Sequence, residues 1–186
     1  MLTPGAGSNR DHHTLVAIEG AVRPLPMARV DFPYRKEGRR APDRAPKLIA
    51  SVVADAAAYA SSIRIRPQRL LLGGRSLGGR MCSMAVAEGL PAAGLVLLSY
   101  PLHPPGKPER LRVEHLPQLA VPCLFVSGTR DPFGTPDELE AATATIAGPV
   151  THHWVEGGAH DMRRADDEIC AAVVSWIDAL PSLAGR

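Results

Sequence analysis

The chain has 186 residues, 45% hydrophobic and 22% charged, which is typical of a folded globular protein and predicts a single domain over residues 1–186. A formal net charge of +2 is too small to indicate nucleic-acid binding, and no apolar run approaches the roughly 18 residues that a membrane helix needs. The N-terminus lacks the basic flank and apolar core of a secretory signal, and the three cysteines have no metal-like spacing. We therefore expect a cytoplasmic protein with reduced thiols that needs no metal or cofactor.

Apolar runs alternate with helical patterns from one end of the chain to the other. The predicted elements, in chain order, are a strand end at 2–3, a glycine turn at 4–7, a helix at 11–22, a strand at 28–32, a loop at 33–46, a helix at 47–62, a strand at 69–72, a helix at 77–89, a strand at 94–99, a loop at 100–122, a strand at 123–127, a helix at 136–147, a strand at 150–155 and a helix at 165–180.

Continuous apolar strands that alternate with helices predict an α/β fold, in which helices cover both faces of a mostly parallel sheet. We expect a three-layer sandwich of about six strands, with no lid domain. Functional residues of such sheets lie at the carboxyl ends of the strands. The residues that directly follow each predicted strand are therefore the candidates for a site.

The segment after the strand at 69–72 contains the pattern G-x-S-x-G, formed by Gly74, Ser76 and Gly78. A serine in a strained turn between strand and helix needs glycine neighbours, because Cβ atoms two residues to either side would clash with the backbone. Such a turn exposes the Ser76 hydroxyl as a nucleophile and directs the amide of Leu77 toward a developing oxyanion. A phosphate-binding glycine loop is the alternative, but the lysine of a P-loop is absent.

A serine nucleophile needs a base, and the base needs an acid that orients it. Asp131 follows the strand at 123–127, and His160 lies in a glycine turn after the strand at 150–155. The chain order of serine, acid and histidine is the one typical of hydrolases that carry the nucleophile on a strand-to-helix turn. The alternatives are a solvated turn residue for Asp131 and a surface histidine for His160.

The glycine turn at 4–7 is the candidate for a second oxyanion donor, which we assign to the amide of Ala6. Gly5 lets the backbone approach a substrate closely and is a predicted substrate contact. A plain tight turn is the alternative interpretation of this segment.

Three side chains near the strand ends are further predicted substrate contacts. Arg75 directly precedes the nucleophile. Tyr100 and His103 follow the strand at 94–99, where their loop is well placed to wall an acyl pocket. Packing within the loop is the alternative for His103.

The loop at 33–47 is basic, with a local charge of +4. Its cations are Arg35, Lys36, Arg39, Arg40, Arg44 and Lys47, and its anions are Glu37 and Asp43. Because the loop follows a predicted strand, one hypothesis is that it attracts anionic substrates. The alternative is a solvated loop with internal ion pairs.

Four segments together resemble one protein family. They are Gly-Gly-Arg-Ser-Leu-Gly-Gly-Arg at 73–80, Leu-Ser-Tyr-Pro-Leu-His-Pro-Pro at 98–105, Leu-Phe-Val-Ser-Gly-Thr-Arg-Asp at 124–131, and His-Trp-Val-Glu-Gly-Gly-Ala-His at 153–160. They are similar to predicted bacterial α/β-hydrolases whose animal relatives are testis-expressed protein 30 and a subunit of the NSL histone acetyltransferase complex. The resemblance to dienelactone hydrolases is more distant.

This resemblance covers essentially the whole chain and implies the α/β-hydrolase fold with a triad of Ser76, Asp131 and His160. It does not imply a substrate, and it indicates no oligomeric state. Dienelactone hydrolases use a cysteine where this chain has Ser76, so their chemistry is not carried over. We expect a hydrolase that cleaves a small ester or thioester through an acyl-enzyme. An acyltransferase with the same triad and a non-enzymatic interaction module are the alternatives.

The resemblance also implies that the N-terminal strands of the fold are truncated, because only residues 1–3 precede Pro4. A minimal fold or a start further upstream would each explain this. A frayed first strand would leave the turn at 4–7 poorly held.

Overall fold

The central strands are short, continuous apolar runs, as expected for extended chain that is buried on both faces of a sheet. The computed structural model describes residues 1–181, and within them the sheet has five strands. They are β1 (Leu2–Thr3), β2 (Leu71–Arg75), β3 (Gly94–Leu98), β4 (Cys123–Gly128) and β5 (Val150–Val155). Each strand pairs in parallel with the next, in the order β1-β2-β3-β4-β5.

Helices connect the strands except between β3 and β4, as the alternating patterns predicted. In the same part of the chain they are α1 (His13–Ala21), α2 (Pro33–Lys36), α3 (Ala45–Ser62), α4 (Leu77–Ala87), α5 (Pro136–Thr143) and α6 (Asp166–Asp178). The start of α5 is fixed by a capping box, in which Thr135 and Glu138 each accept a hydrogen bond from the other residue's amide.

Alternate residues of each central strand enter two separate hydrophobic cores. On β3, Leu95 and Leu97 pack into the core beneath α3, α4 and α5, whereas Val96 and Leu98 pack into the core beneath α1 and α6. This alternation follows from the two-residue period of a strand. The result is a three-layer sandwich of helices, sheet and helices, which confirms the predicted fold class.

The strand predicted at 28–32 is wrong, and only an isolated bridge between Leu2 and Arg29 remains of it. The Leu2 amide donates to the Ala28 carbonyl (2.9 Å), and the Leu2 carbonyl accepts from the Val30 amide (3.0 Å). Because β1 is two residues long, its backbone can form a single bridge with the neighbouring segment at 28–32. The described sheet therefore has five strands instead of about six.

Other boundaries differ from the predictions at the ends of elements. The helix α2 lies within the segment predicted as a loop, and Pro33 occupies its first turn, where a missing N–H is tolerated. The strand β2 begins at Leu71 instead of residue 69, because Pro67–Arg69 forms a turn of 3₁₀ helix. The same strand ends at Arg75 instead of residue 72, so Arg75 lies within the sheet and Ser76 follows the strand directly.

The connection between β3 and β4 is the long proline-rich segment at 99–122. Its only helical element is a 3₁₀ turn at Leu116–Gln118, whose first residue is buried against the sheet. The part of the chain that the structure describes thus contains no lid domain, as predicted. None of the helices in residues 1–181 has the length and apolar character needed to cross a membrane.

The backbone of β1 packs directly against glycines of β2 and α4. Thr3 pairs with Gly74, and a Cβ atom on Gly74 would lie 2.2 Å from the Thr3 carbonyl oxygen. A Cβ atom on Gly78 would lie 2.4 Å from the same oxygen and 2.6 Å from the Pro4 carbonyl oxygen. These contacts explain why the turn needs glycine at both positions, and they keep β1 buried and paired.

Substitution of Gly78 by alanine tests this close approach. Because the opposing atoms are backbone oxygens that cannot rotate away, Gly78→Ala is expected to lower the free energy of unfolding by about 2–3 kcal/mol. Urea unfolding followed by circular dichroism measures the change. The matched control is Gly20→Ala in α1, where nothing lies within 4 Å of the new Cβ atom. That control is expected to raise stability by up to about 1 kcal/mol, and equal stabilities of the two variants would contradict the argument.

Candidate active site

Ser76 lies in the sharp turn between β2 and α4, with φ 50° and ψ −115°. A non-glycine residue in this sparsely populated region costs on the order of 1–3 kcal/mol, so the surrounding structure must hold it there. Its amide donates to the Leu98 carbonyl at the end of β3 (2.8 Å), and its carbonyl accepts from the Arg80 amide in α4 (3.1 Å). The strain turns the half-buried hydroxyl away from the sheet.

The structure brings the three predicted side chains into one hydrogen-bonded chain. His160 Nε2 lies 2.9 Å from Ser76 Oγ, and His160 Nδ1 lies 2.8 Å from Asp131 Oδ2 and 3.0 Å from Oδ1. Because a carboxylate only accepts, Nδ1 carries the imidazole proton and Nε2 is left as the acceptor for the serine hydroxyl. This tautomer is the one in which His160 can act as a base toward Ser76.

Asp131 is buried, with a side chain that is 2% exposed. Its Oδ1 also accepts a hydrogen bond from the Phe133 amide (2.9 Å), which fixes the carboxylate in the plane that faces His160. The Phe133 ring stacks on the imidazole, with centroids 4.0 Å apart. Sequence reasoning missed Phe133, because an aromatic residue two positions after a loop carboxylate has no pattern of its own.

The loops that follow β4 and β5 are fastened directly to each other. The Arg130 amide donates to the Gly158 carbonyl (2.8 Å), and the Gly157 amide donates to Thr129 Oγ1 (2.8 Å). The two backbones approach so closely that a Cβ atom on Gly128 would lie 2.2 Å from the Gly158 oxygen. Asp131 and His160 therefore lie on two loops whose backbones hold each other in place.

The turn after β1 borders the nucleophile. The Ser8 amide donates to the Gly5 carbonyl (3.2 Å), and Gly7 has φ 74°, the left-handed value that the third residue of a type II turn requires. A Cβ atom on Gly5 would lie 3.4 Å from Ser76 Cβ. Within residues 1–181 the amides of Ala6 and Leu77 donate to no protein acceptor, so both remain free for a ligand.

Arg75 connects the nucleophile turn to the histidine loop. Its side chain is buried, and its Nη2 donates to the His160 carbonyl (2.9 Å). Burial lowers the pKa of the guanidinium below its usual value, and the carboxylates of Asp161 and Asp131 oppose that effect.

Tyr100 and His103 lie in positions that do not suit the predicted wall of an acyl pocket. Tyr100 is 2% exposed, and its hydroxyl donates to the Arg112 carbonyl (2.7 Å). His103 is 5% exposed, its Nδ1 donates to the Pro104 carbonyl (2.9 Å), and its Nε2 lies 3.4 Å from Glu138 Oε2. Because internal contacts engage both side chains, the structure favours a packing role for each of them.

Two of the six cations in the basic loop at 33–47 are paired with the carboxylates of the same loop. Arg39 lies 2.6 Å from Glu37 and 2.9 Å from Asp43, and Lys47 lies 3.3 Å from Asp43. Exposed pairs of this kind stabilise a protein little, and two carboxylates leave the loop with its net charge of +4. The arrangement favours the solvated loop with internal ion pairs.

Metal-ligating side chains do not converge in the described residues. No group of three or more His, Cys, Asp or Glu within 1–181 is arranged to hold a metal ion. His12 and His13 stack on each other with centroids 4.4 Å apart, and His13 pairs with Asp166 (2.6 Å). The His13–Asp166 pair joins α1 to α6.

Comparison with known proteins gives the family of the chain. Residues 1–176 match the family described as "Alpha/beta hydrolase domain". The chain belongs to this family. Membership confirms the fold predicted from the sequence and assigns the chain to the hydrolase enzymes.

Solved structures of other α/β hydrolases share the architecture. Est1E from Butyrivibrio proteoclasticus has a TM-score of 0.75 at 16% identity, covering 95% of this chain and 85% of that chain. A dienelactone hydrolase from Anabaena variabilis has a TM-score of 0.74 at 17% identity, covering 96% and 85%. An alpha-beta serine hydrolase homologue from Coxiella burnetii has a TM-score of 0.73 at 15% identity, covering 95% and 85%. At these identities the likeness concerns the fold.

The cysteines of this α/β hydrolase are poorly suited to be nucleophiles. Cys82 is fully buried in α4, where its thiol donates to the Gly73 carbonyl (3.2 Å), and burial raises its pKa to about 11. Burial likewise raises the pKa of Cys123 to about 12. Cys170 in α6 is half-buried, and its pKa is raised by burial and by the carboxylates of Asp166 and Asp167.

Alkylation by iodoacetamide tests this difference. Because the thiolate is the reactive form, Cys82 and Cys123 in the folded protein at pH 8 are expected to react at least about 100-fold more slowly than a free thiol of pKa about 8.5. Cys170 is expected to react first. Mass spectrometry of tryptic peptides measures the rates, and the urea-unfolded chain, in which all three should react, is the control. Rapid modification of Cys82 in the folded protein would contradict the expectation.

Proposed function

We propose that the protein is a serine hydrolase that cleaves a small ester or thioester through an acyl-enzyme on Ser76. The observation that carries the proposal is the continuous chain of hydrogen bonds from Ser76 Oγ to His160 Nε2 (2.9 Å) and from His160 Nδ1 to Asp131 (2.8 Å). A serine hydroxyl is a weak nucleophile unless a base removes its proton during attack, and this arrangement supplies the base and its orienting acid.

In the first step, His160 Nε2 takes the Ser76 proton while Oγ forms a bond to the substrate carbonyl carbon. The carbonyl electron pair moves onto oxygen, and the oxyanion accepts hydrogen bonds from the free amides of Leu77 and Ala6. The Leu77 amide lies at the N-terminus of α4, where the helix dipole favours negative charge. Asp131 stabilises the imidazolium that forms on His160.

The tetrahedral intermediate then collapses. The carbonyl re-forms, the bond to the alcohol or thiol breaks, and the leaving group takes the proton from His160 Nε2. A water molecule next gives a proton to His160 and adds to the acyl carbon. The bond to Ser76 Oγ breaks, the serine recovers its proton, and the carboxylic acid is released.

The openness of the site supports small substrates. Ala6 is exposed, Ser76 and His160 are half-buried, and no lid domain covers them in the described chain. An open site gives a long acyl chain little apolar surface to bury, so binding energy must come from groups close to the scissile bond.

An acyltransferase would use the same residues and differs only in the acceptor that attacks the acyl-enzyme. Product analysis in the presence of added alcohols distinguishes the two activities. A non-enzymatic interaction module is the other alternative, favoured by the resemblance to testis-expressed protein 30 and the NSL-complex subunit. The assembled triad favours an enzyme, since an interaction module does not need a base within hydrogen-bonding distance of a strained serine.

Replacement of the nucleophile tests the proposal. Ser76→Ala removes the attacking atom and is expected to lower kcat for phenyl acetate at least about 10³-fold, with circular dichroism unchanged. A fluorophosphonate probe is expected to label the wild type on Ser76 and not to label the variant. The control is Ser62→Ala, an exposed serine at the end of α3 that should leave labelling intact. Folded wild-type protein without an adduct on Ser76 would overturn the proposal.

The oxyanion donor can be removed without loss of its turn. Proline fits the second position of a type II turn and has no N–H, so Ala6→Pro keeps the turn at 4–7 and deletes one donor. We expect kcat to fall about 10²–10³-fold with KM little changed, because the oxyanion forms in the transition state and the tetrahedral intermediate and is absent from the bound substrate. Steady-state kinetics measure the change, and Ala6→Ser, which keeps the amide, is the control. A kcat for Ala6→Pro equal to that of the control would show that the Ala6 amide is not an oxyanion donor.

A further inference from the structure

Arg75 is a buried cation without a carboxylate partner. It is the last residue of β2 and is 9% exposed, and the only hydrogen bond of its side chain within residues 1–181 runs from Nη2 to the neutral carbonyl of His160 (2.9 Å). Its Nε is sealed from solvent and has no acceptor among the described residues. A guanidinium remains charged in proteins, and its burial is costly; the carboxylates of Asp161 and Asp131 offset part of that cost without forming an ion pair with it.

Some other arginines are paired with carboxylates, whereas the Nε atoms of Arg35 and Arg80 are, like that of Arg75, sealed without an acceptor in the described chain. Arg29 donates to Glu19 (2.7 Å) and Asp11 (2.8 Å), and Arg39 donates to Glu37 and Asp43. Arg75 is much more buried than either of these partly exposed side chains, yet it forms no such pair in the described chain. Arg75 differs from these arginines in that its guanidinium lies beside Ser76, where a substrate could supply the counterion.

The guanidinium borders the reacting atoms. Nη1 lies 3.2 Å from the position of a Cβ atom on Gly5, and Ser76 Cβ lies 3.4 Å from that same position. Because Gly5 has no side chain, Nη1 and the Ser76 side chain can both approach the turn at 4–7 closely. Nη1 donates to no protein atom in residues 1–181.

We propose that Arg75 is the subsite for a carboxylate carried by the substrate near its scissile carbonyl. This inference rests on the proposed hydrolysis at Ser76 and specifies its substrate class as small esters or thioesters that bear a carboxylate. One free guanidinium edge suits a planar monoanion, which can accept a charge-assisted hydrogen bond from Nη1. A phosphate dianion would need further donors, and the neighbouring groups are the backbone of Gly5 and the side chain of Ser76.

Matched ester pairs test the subsite. Phenyl acetate is compared with meta-acetoxybenzoate, which carries the carboxylate on the leaving group, and phenyl valerate with monophenyl glutarate, which carries it on the acyl group. In at least one pair, we expect the wild type to have a kcat/KM about tenfold higher for the anionic ester, as charge-assisted hydrogen bonds provide. Rates are corrected for spontaneous hydrolysis of each ester.

Substitution of Arg75 distinguishes binding of the substrate carboxylate from positioning of His160. Arg75→Gln also loses the bond to the His160 carbonyl, so both members of a pair are expected to slow. The ratio of anionic to neutral kcat/KM should fall about tenfold, mainly through KM, and Arg75→Lys should retain part of it. The control is Arg130→Gln, the same charge change on an exposed residue beside Asp131, which should alter the ratio less than about twofold.

Two results would overturn the subsite while leaving the hydrolase intact. One is a wild type that cleaves both neutral esters through Ser76 without preferring either anionic ester. The other is an Arg75→Gln variant that slows both members of a pair equally, which would make Arg75 a positioning residue for His160. Absence of Ser76-dependent cleavage of the neutral esters would instead overturn the proposed function.

A binding measurement tests the subsite without turnover and without altering Arg75. In the Ser76→Ala protein, millimolar propionate is expected to shift the Nε–H resonance of Arg75 in NMR spectra, and neutral propionamide is expected to leave it in place. Equal responses to the two compounds, or no response to propionate, would contradict the proposal whatever the ester kinetics give.

Discussion

The site depends on the contact between the backbone of Thr3 and the two glycines that flank Ser76. The Thr3 carbonyl oxygen occupies the space that a Cβ atom of Gly74 or Gly78 would need. This contact lets β1 lie directly against the strained turn, so that the loop after β1 reaches the nucleophile. Because backbone meets backbone, no side-chain rotation can relax the arrangement. The relative positions of the Ser76 hydroxyl and the Ala6 amide are thus fixed by the sheet itself.

The same kind of contact recurs on the other side of Ser76. The loops after β4 and β5 approach each other at Gly128 and Gly158, and Arg75 ties the second of these loops to the end of β2. The ends of β2, β4 and β5 are therefore joined by main-chain contacts and one buried guanidinium. The hydrogen-bonded chain from Ser76 to Asp131 follows from where the strands end.

Local sequence patterns predicted the parts of the molecule that depend on local chemistry. The alternation of apolar runs predicted the fold, and the glycine-flanked serine marked the strand-to-helix turn that the structure contains. The strand at 28–32 was wrong because its extent depends on the two-residue length of β1, which lies elsewhere in the chain. The surroundings of Tyr100, His103 and Phe133 also depend on distant segments. Their burial and stacking could not be deduced from their neighbours in sequence.

The proline-rich connection between β3 and β4 is closed at its base by the bond from the Tyr100 hydroxyl to the Arg112 carbonyl. Residues 105–111 beyond that bond are exposed and contribute nothing to the triad. The free-energy cost of lengthening a closed loop grows only with the logarithm of its length. New segments can therefore be grafted there while the catalytic framework stays intact. In protein engineering, this connection is the natural place to install a cover that excludes water and selects larger acyl groups.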